Sequence, residues 1–134
     1  MNKIDDQYYL YAPSDWISSY GYIFSDSTII KQYTDGPDVY VLLSTKKISN
    51  NRYEYKTLAS DKSFITINVY IIDNKNHIAV WRFDSNNETT YGLLVDADYL
   101  KRFPLVVSDC YGNKCIIEYN FKPIDFEKLI KNIQ

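Results

Sequence analysis

Residues 64–72 read FITINVYII, and this stretch decides the fold. Four of its side chains, Ile65, Ile67, Val69 and Ile71, recur at every second position, which is the period of a half-buried β-strand. Most of the other positions are aromatic or β-branched, and such residues fit the pleated surface of a sheet. The stretch is also too short and too polar to span a bilayer.

The same period of two continues on both sides of this strand. Val39, Val41 and Leu43 alternate upstream, and Tyr53 and Tyr55 alternate with charged neighbours. Short connections rich in Asn, Asp and Gly separate these runs, and such residues adopt the left-handed conformations of tight turns. Consecutive hairpins of this kind predict an antiparallel meander. The predicted strands cover residues 39–47, 52–58, 64–72, 78–84, 89–94, 104–110 and 115–121.

Helical spacing appears mainly at the C-terminal end. The apolar residues Phe126, Leu129, Ile130 and Ile133 recur at helical spacing and predict a helix that begins at Pro123. We therefore expect an α+β fold, in which a mainly antiparallel meander of about six or more strands packs this helix on one face. Many of the tyrosines would lie on the other face. Shorter helical segments are predicted at residues 14–20, 26–32 and 96–102.

Length and charge narrow the class of protein. The 134 residues suit a single globular domain, residues 1–134, that folds without a metal or several disulfides. The net charge is −2 and the densest basic stretch is only Lys46-Lys47, so we expect no nucleic-acid partner. We expect no membrane association and a cytoplasmic location, or a periplasmic or extracellular one if Met1 replaces a cleaved leader. Twelve Lys against three Arg, with much Ile and Asn, indicate an AT-rich bacterial or phage genome.

The residues that usually carry catalysis are scarce. His77 is the only histidine and lies in a predicted turn, where we expect a solvated loop residue. The four glycines are isolated, so the chain has no phosphate-binding loop. Asp84, Asn86 and Glu88 alternate like the start of a calcium loop, but Thr89 replaces the glycine that such a loop needs. We therefore expect no catalytic residue, no metal site, no cofactor and no enzymatic activity.

Two cysteines, Cys110 and Cys115, flank the predicted loop Tyr111-Gly112-Asn113-Lys114. Across a hairpin they would close a disulfide if their Cβ atoms came within about 4 Å, which implies an oxidising compartment. Alternatively, both are small buried residues in a reducing cytosol. Their spacing fits no zinc site, and a catalytic thiolate would need His77 beside it in a cleft.

Tyrosine is the most distinctive component of the chain. Its 14 copies combine a large contact area with a polar tip, and tyrosine is enriched at protein interfaces. One interpretation is that the rings cover a small sheet and extend their hydroxyls into water. The other is an exposed recognition patch, beside which Asp35 and Asp38 would meet a basic partner. The aromatic contact residues predicted for such a patch are Tyr8, Tyr9, Tyr11, Trp16, Tyr20, Tyr22, Tyr53 and Tyr55.

One run of motifs covers under half of the chain. Trp16 is followed by YIFSDSTI at residues 22–29, by VYVL at residues 39–42 and by a strand pair through Tyr55 to Tyr70. In this order the pieces weakly resemble the bacterial surface-adhesin protein E family. The resemblance implies an exported, cysteine-bridged β-sheet module that binds host proteins.

These observations favour a non-catalytic protein-binding module. A small, mildly acidic, single-domain chain without a catalytic constellation has the profile of a bacterial immunity protein, which neutralises a cognate toxin by direct binding. The alternative is an exported periplasmic or surface module that binds a host or envelope protein. Sequence alone leaves the partner and the oligomeric state open.

Overall fold

Strands make up most of the fold. The computed structural model describes residues 1–12, 21–33, 35–107, 110–111, 114–115 and 121–133. Its strands are β1 (Asn2–Ile4), β2 (Gln7–Ala12), β3 (Gly21–Phe24), β4 (Thr28–Tyr33), β5 (Gly36–Ser49), β6 (Arg52–Ala59), β7 (Phe64–Asp73), β8 (Ile78–Asp84), β9 (Thr89–Val95), β10 (Leu105–Val107), β11 (Cys110–Tyr111) and β12 (Lys114–Cys115). A 3₁₀ helix spans Ala97–Arg102, and the α-helix α1 spans Phe126–Ile130.

Strands β3 to β9 form one seven-stranded sheet. Every strand in it pairs antiparallel with its neighbours in sequence, so the predicted meander is confirmed. The five strands predicted between residues 39 and 94 correspond to β5–β9. Register shifts at Leu42/Ser44 in β5 and at Ile71/Asp73 in β7 mark bulges, which bend strands and increase their twist. The sheet is therefore curled, with a concave inner face and a convex outer face.

Strand β7, in the interior of the sheet, is buried on both of its faces. Ile67 and Val69 lie on the inner face and are 0% and 8% exposed, as the alternation predicts. Tyr70 lies on the outer face, yet it is only 1% exposed. It packs in a second cluster with Val80 and with Ile130 of α1. The helix therefore covers the outer face, and the sheet separates two apolar cores.

The C-terminal helix packs on the sheet as expected, but it is shorter than predicted. It does not begin at Pro123. Asp125 caps it, because the Asp125 carboxylate accepts a hydrogen bond from the Lys128 amide at 3.0 Å. Tyr91 of β9 fixes the helix, since its ring stacks on Phe126 with centroids 5.2 Å apart. The Tyr91 hydroxyl also donates a hydrogen bond to Glu127.

The helical segment predicted at residues 26–32 is wrong. A turn closed by the Thr28 amide, which donates to the Ser25 hydroxyl at 3.1 Å, leads directly into β4. Three successive β-branched residues begin this strand, and they favour the extended conformation over a helix. Ile29 faces inward and is fully buried. The curl of the sheet supplies this burial, which the local pattern does not show.

The other short helical predictions have different outcomes. The segment predicted at residues 96–102 is confirmed as the 3₁₀ helix, in which the Asp96 carboxylate accepts a hydrogen bond from the Asp98 amide at 3.0 Å. The segment predicted at residues 14–20 lies outside the described residues. No helix in the described ranges is long and apolar enough to cross a membrane.

Strands β1, β2 and β10 form a second, three-stranded sheet. β10 runs parallel to β2, with Leu105 opposite Leu10, and this parallel pair lies outside the mainly antiparallel meander that was predicted. β11 and β12 form a separate hairpin. The strands predicted at residues 104–110 and 115–121 are therefore shorter where the chain is described, and residues 108–109 and 116–120 lie outside it.

Candidate functional site

The curl of the sheet brings β3 over β8 and creates an inner aromatic cluster of Tyr22, Phe24, Tyr55, Trp81 and Phe83. The Tyr22 ring centroid lies 4.8 Å from that of Trp81 and 5.6 Å from that of Phe83. Phe24 contacts Trp81 at 5.3 Å and Tyr55 at 5.7 Å between centroids. Trp81 is 7% exposed. These rings therefore line the concave face of the sheet with tightly packed aromatic surface.

One end of the concave side remains open as a pocket, which we call the mouth pocket. Its volume is about 370 Å³, within the usual range of small-molecule sites. Strands β3, β4 and β5 supply one wall, and β7, β8, β9 and the β8–β9 turn supply the other. The lining residues are Tyr22, Lys31, Tyr40, Ile65, Phe83, Ser85, Glu88, Thr90 and Tyr91.

The Tyr40 hydroxyl of the mouth pocket and the Tyr91 hydroxyl on the outer face are held in their protonated form. Burial, together with the nearby carboxylates of Asp38 and Asp61, raises the pKa of Tyr40 to about 12. Burial and the hydrogen bond to Glu127 of α1 raise the pKa of Tyr91 to about 12. At neutral pH the pocket therefore offers Tyr40 as an uncharged hydroxyl, which has both donor and acceptor capacity.

Lys31 and Glu88 are the two charged residues of the lining. Lys31 lies opposite Asp38 in the β4–β5 register. Its ammonium lies 4.5 Å from the centroid of the Tyr33 ring and 6.0 Å from that of Tyr22. Such cation–π contacts stabilise a charge against aromatic faces. With one positive and one negative group, the lining has no net charge at neutral pH.

The outer face carries an exposed apolar surface, which we call the outer band. Its six residues form two rows across adjacent strands, with directly opposed positions in each row. Phe64 is 64% exposed, Ile23 50% and Val41 44%. Apolar side chains grouped in this way mark interaction sites more often than scattered ones do. The outer band consists of Ile23, Ile30, Val39, Val41, Leu58 and Phe64.

A polar cluster lies on the outer face between the outer band and α1. The Asp84 carboxylate accepts hydrogen bonds from Arg82 Nε at 2.8 Å, Thr89 Oγ1 at 2.9 Å and Asn68 Nδ2 at 3.2 Å. Asn68 is only 6% exposed, so this pairing satisfies a buried amide. Arg52 extends the cluster with a long contact of 3.5 Å to Asn68. The cluster therefore links strands β6 to β9 through side-chain hydrogen bonds.

The structure places the predicted aromatic contact residues in separate regions. Tyr22 and Tyr55 belong to the inner aromatic cluster, and Tyr53 packs beside it. Tyr8, Tyr9 and Tyr11 lie apart on β2 of the second sheet. Trp16 and Tyr20 lie outside the described residues.

Each tyrosine of β2 has a contact within the chain. Tyr8 packs against the core under α1, and burial raises its pKa, with Asp73 and Asp6 adding to the effect. The Tyr9 hydroxyl donates a hydrogen bond to Gln7 Oε1 at 3.0 Å. Tyr11 packs edge-on against Phe121 at 5.0 Å between centroids.

The two predicted acidic contact residues lie near the β4–β5 turn. Asp35 is exposed in the turn, two residues after Tyr33, and Gly36 follows it with a positive φ of 122°. Asp38 faces the tyrosines instead, because it accepts a hydrogen bond from Tyr33. Asp38 also lies opposite Lys31, which lines the mouth pocket.

His77 lies in the turn between β7 and β8, with a positive φ of 54°. Its ring is exposed and stacks on Tyr99 at 3.8 Å between centroids, and Arg102 lies 4.2 Å from the Tyr99 ring centroid. His77 Nδ1 is 3.6 Å from Asp96 Oδ2. Within the described part of the chain, no group of three or more His, Cys, Asp or Glu side chains is placed to hold a metal ion.

The β11–β12 register sets Cys110 directly opposite Cys115. Directly opposed residues in antiparallel strands have Cα atoms about 4.5–5.5 Å apart, which suits a disulfide. The side chains of both cysteines lie outside the described part of the structure. The disulfide and the pair of reduced cysteines therefore both stay open, and the backbone register permits the disulfide.

Several residues of these surfaces were not among the predicted contact residues. Phe64 belongs to the outer band, and Tyr40, Trp81 and Phe83 belong to the inner surface. The sequence WRF at residues 81–83 alternates aromatic and charged residues, which is a signal that one face of β8 is aromatic.

Comparison of the chain with protein-family models, with curated proteins and with solved structures finds no match. The resemblance to the surface-adhesin protein E family therefore gains no support from relatives. Functional conclusions depend on the site geometry of this chain alone.

Proposed function

We propose that this protein is a non-catalytic protein-binding module that contacts its partner through the outer band. The observation that supports the proposal is the exposure of Phe64, which is 64%, in a row with Leu58 and Val41. Covering such a surface with a partner removes apolar area from water, at about 25 cal/mol per Å². A large exposed aromatic surrounded by aliphatic side chains is also a common anchor of protein interfaces.

The partner that we propose is a cognate bacterial toxin, with this protein acting as its immunity protein. The mildly acidic chain, the scarcity of catalytic residue types and the exposed apolar surface all fit an inhibitor that acts by occupying a surface. Asp35, which is exposed beside the β4–β5 turn, is a candidate contact for a basic partner.

A growth assay tests this proposal. Each reading frame adjacent to the gene would be expressed in a sensitive host, with and without this protein. We expect one neighbouring product to arrest growth, and the wild-type protein to restore growth and to bind that product in calorimetry. Absence of a toxic neighbour that this protein binds would overturn the toxin proposal.

Two matched variants then test the contact surface. Phe64→Ser changes the outer band, and Leu105→Ser changes an equally exposed apolar residue, 60% exposed, on β10 of the other sheet. We expect Phe64→Ser to weaken binding at least tenfold, a loss of about 1.4 kcal/mol, and Leu105→Ser to leave it unchanged. Equal affinities for both variants would place the contact surface elsewhere.

The Cys110–Cys115 register favours one second candidate, an exported periplasmic or surface module that binds a host or envelope protein. In the chain-entropy account, a disulfide that closes this short loop adds about 2 kcal/mol of stability. Protein directed to the bacterial periplasm should then contain no free thiol when it is unfolded and titrated. Two free thiols in that sample would count against the exported module.

A further inference from the structure

We propose that the mouth pocket binds a small, neutral, polyhydroxylated ring, chemically a single sugar residue. This ligand site lies on the inner side of the sheet, whereas the outer band lies on the opposite face, so the two functions are independent. The proposal depends on three properties of the lining, namely its hydroxyl content, its aromatic faces and its charge balance.

Hydroxyl groups dominate the polar part of the pocket. Four of the nine lining residues offer a side-chain hydroxyl there, and each hydroxyl has one donor and two acceptor positions. A ligand with several adjacent hydroxyls matches such a surface, because each of its groups must both donate and accept. The four residues are Tyr22, Tyr40, Ser85 and Thr90, whereas the Tyr91 side chain lies on the outer face against α1.

One of these hydroxyls is already oriented by the fold. The Ser85 hydroxyl donates to the Glu88 carbonyl at 3.1 Å, so it presents acceptor positions. Tyr40, whose pKa is raised, remains a donor across the neutral range. The pocket therefore combines donors and acceptors at separate points.

Aromatic faces supply the apolar part of the pocket. Phe83 and Tyr22 lie 5.6 Å apart between centroids, and Trp81 packs behind Tyr22 at 4.8 Å. Rings fixed in this way lose little conformational freedom when a ligand arrives. The C–H face of a sugar ring packs against such a surface, while its rim of hydroxyls reaches the polar lining.

The charge of the lining argues against an ionic ligand. Lys31 and Glu88 cancel, and Lys31 already lies against Tyr33 and opposite Asp38. A carboxylate ligand that pairs with Lys31 would also be repelled by Glu88, and an ammonium ligand that pairs with Glu88 would be repelled by Lys31. An uncharged ligand avoids both repulsions, and the ligand that fits this lining is therefore a neutral ring.

Saturation-transfer NMR and tryptophan fluorescence test the proposal. The probes are glucose, galactose and N-acetylglucosamine, with glucuronate as a charged ring and sorbitol as an open-chain polyol. We expect saturable binding of at least one neutral ring, weaker binding of glucuronate and none of sorbitol. Absence of saturable binding by every neutral ring at the highest soluble concentration overturns the proposal, as does equal binding of sorbitol.

Variants locate the binding in the mouth pocket. Tyr40→Phe and Thr90→Val each remove a lining hydroxyl and nearly preserve shape, and we expect each to weaken binding roughly five- to tenfold. Tyr53→Phe removes a hydroxyl from the same sheet face outside the pocket and should leave affinity unchanged. Thr90 is exposed at the pocket rim, so its variant keeps the test informative if Tyr40→Phe does not fold. Undiminished binding by both lining variants, with unchanged thermal midpoints, overturns the assignment.

Discussion

Replacing Ile67 with alanine should destabilise the protein far more than replacing Phe64, although both lie on β7. Ile67 is 0% exposed and lies opposite Tyr55 and Phe83 in the register, whereas Phe64 is 64% exposed. Ile67→Ala removes three carbon groups from the inner core, at about 0.8 kcal/mol each. A residual cavity of roughly 60 Å³ adds about 1.4 kcal/mol at ~24 cal/mol per Å³, so the expected loss is about 4 kcal/mol.

Phe64→Ala is the matched control for this experiment. Because about two thirds of the Phe64 side chain is already in water, its truncation should cost about 1 kcal/mol or less. Urea unfolding followed by circular dichroism measures both losses. With a slope of about 1.5 kcal/mol per M, Ile67→Ala should lower the midpoint by roughly 2.5 M and Phe64→Ala by less than about 0.7 M. Equal shifts would refute the inference that the concave face is the packed core.

Two further predictions concern ionisable groups. Because the pKa values of Tyr40 and Tyr91 are raised to about 12, above the value of about 10 expected for the unfolded chain, their stabilising contribution is fully present below pH 10 and is lost as the pH rises toward 12. The urea midpoint should fall over this range, less steeply in Tyr40→Phe, and a flat profile would contradict the raised values. Asp84→Ala removes the shared acceptor of Asn68, Arg82 and Thr89, and it should lower the free energy of unfolding by about 2–4 kcal/mol. The control is Asp26→Ala, because Asp26 is exposed. Equal losses of unfolding free energy in the two variants would show that the hydrogen bonds of Asp84 do not stabilise the fold.

The sequence predicted the strands whose burial alternates and failed where burial depends on distant parts of the chain. β5 to β9 were predictable because short polar turns, three of the four rich in Asn, separate runs of period two. β4 was missed because the inward burial of Ile29 depends on a curl that brings Tyr22 onto Trp81, far away in sequence. Similarly, Pro123 predicted the helix start because proline is common in the first turn of a helix. The helix begins later, because the carboxylate of Asp125 forms its N-terminal cap.

The candidate surfaces were predictable only in part. Tyr22 and Tyr55 were predicted as aromatic contact residues and belong to the inner aromatic cluster. The mouth pocket was not predictable, because Lys31 and Glu88 line it from opposite walls and share no local motif. The alternation in β7 places Phe64 on the face opposite Ile65 and Ile67. Whether Phe64 is exposed on that face depends on where α1 packs, and α1 packs against Tyr70 and Val80 instead. Local patterns thus identify which face a side chain takes, and tertiary packing decides whether that face is covered.

The order of strands in the seven-stranded sheet also determines how the chain folds. Each of its pairings joins strands that are adjacent in sequence, so the sheet assembles by closing short loops one after another. The β2–β10 pair is different, since it joins Leu10 to Leu105 and requires two segments that lie far apart in sequence to meet. We expect this second sheet to form last and to open first. Amide hydrogen exchange should therefore be faster in β2 and β10 than in β6–β8, which makes this long-range strand pair the earliest place for the native state to come apart.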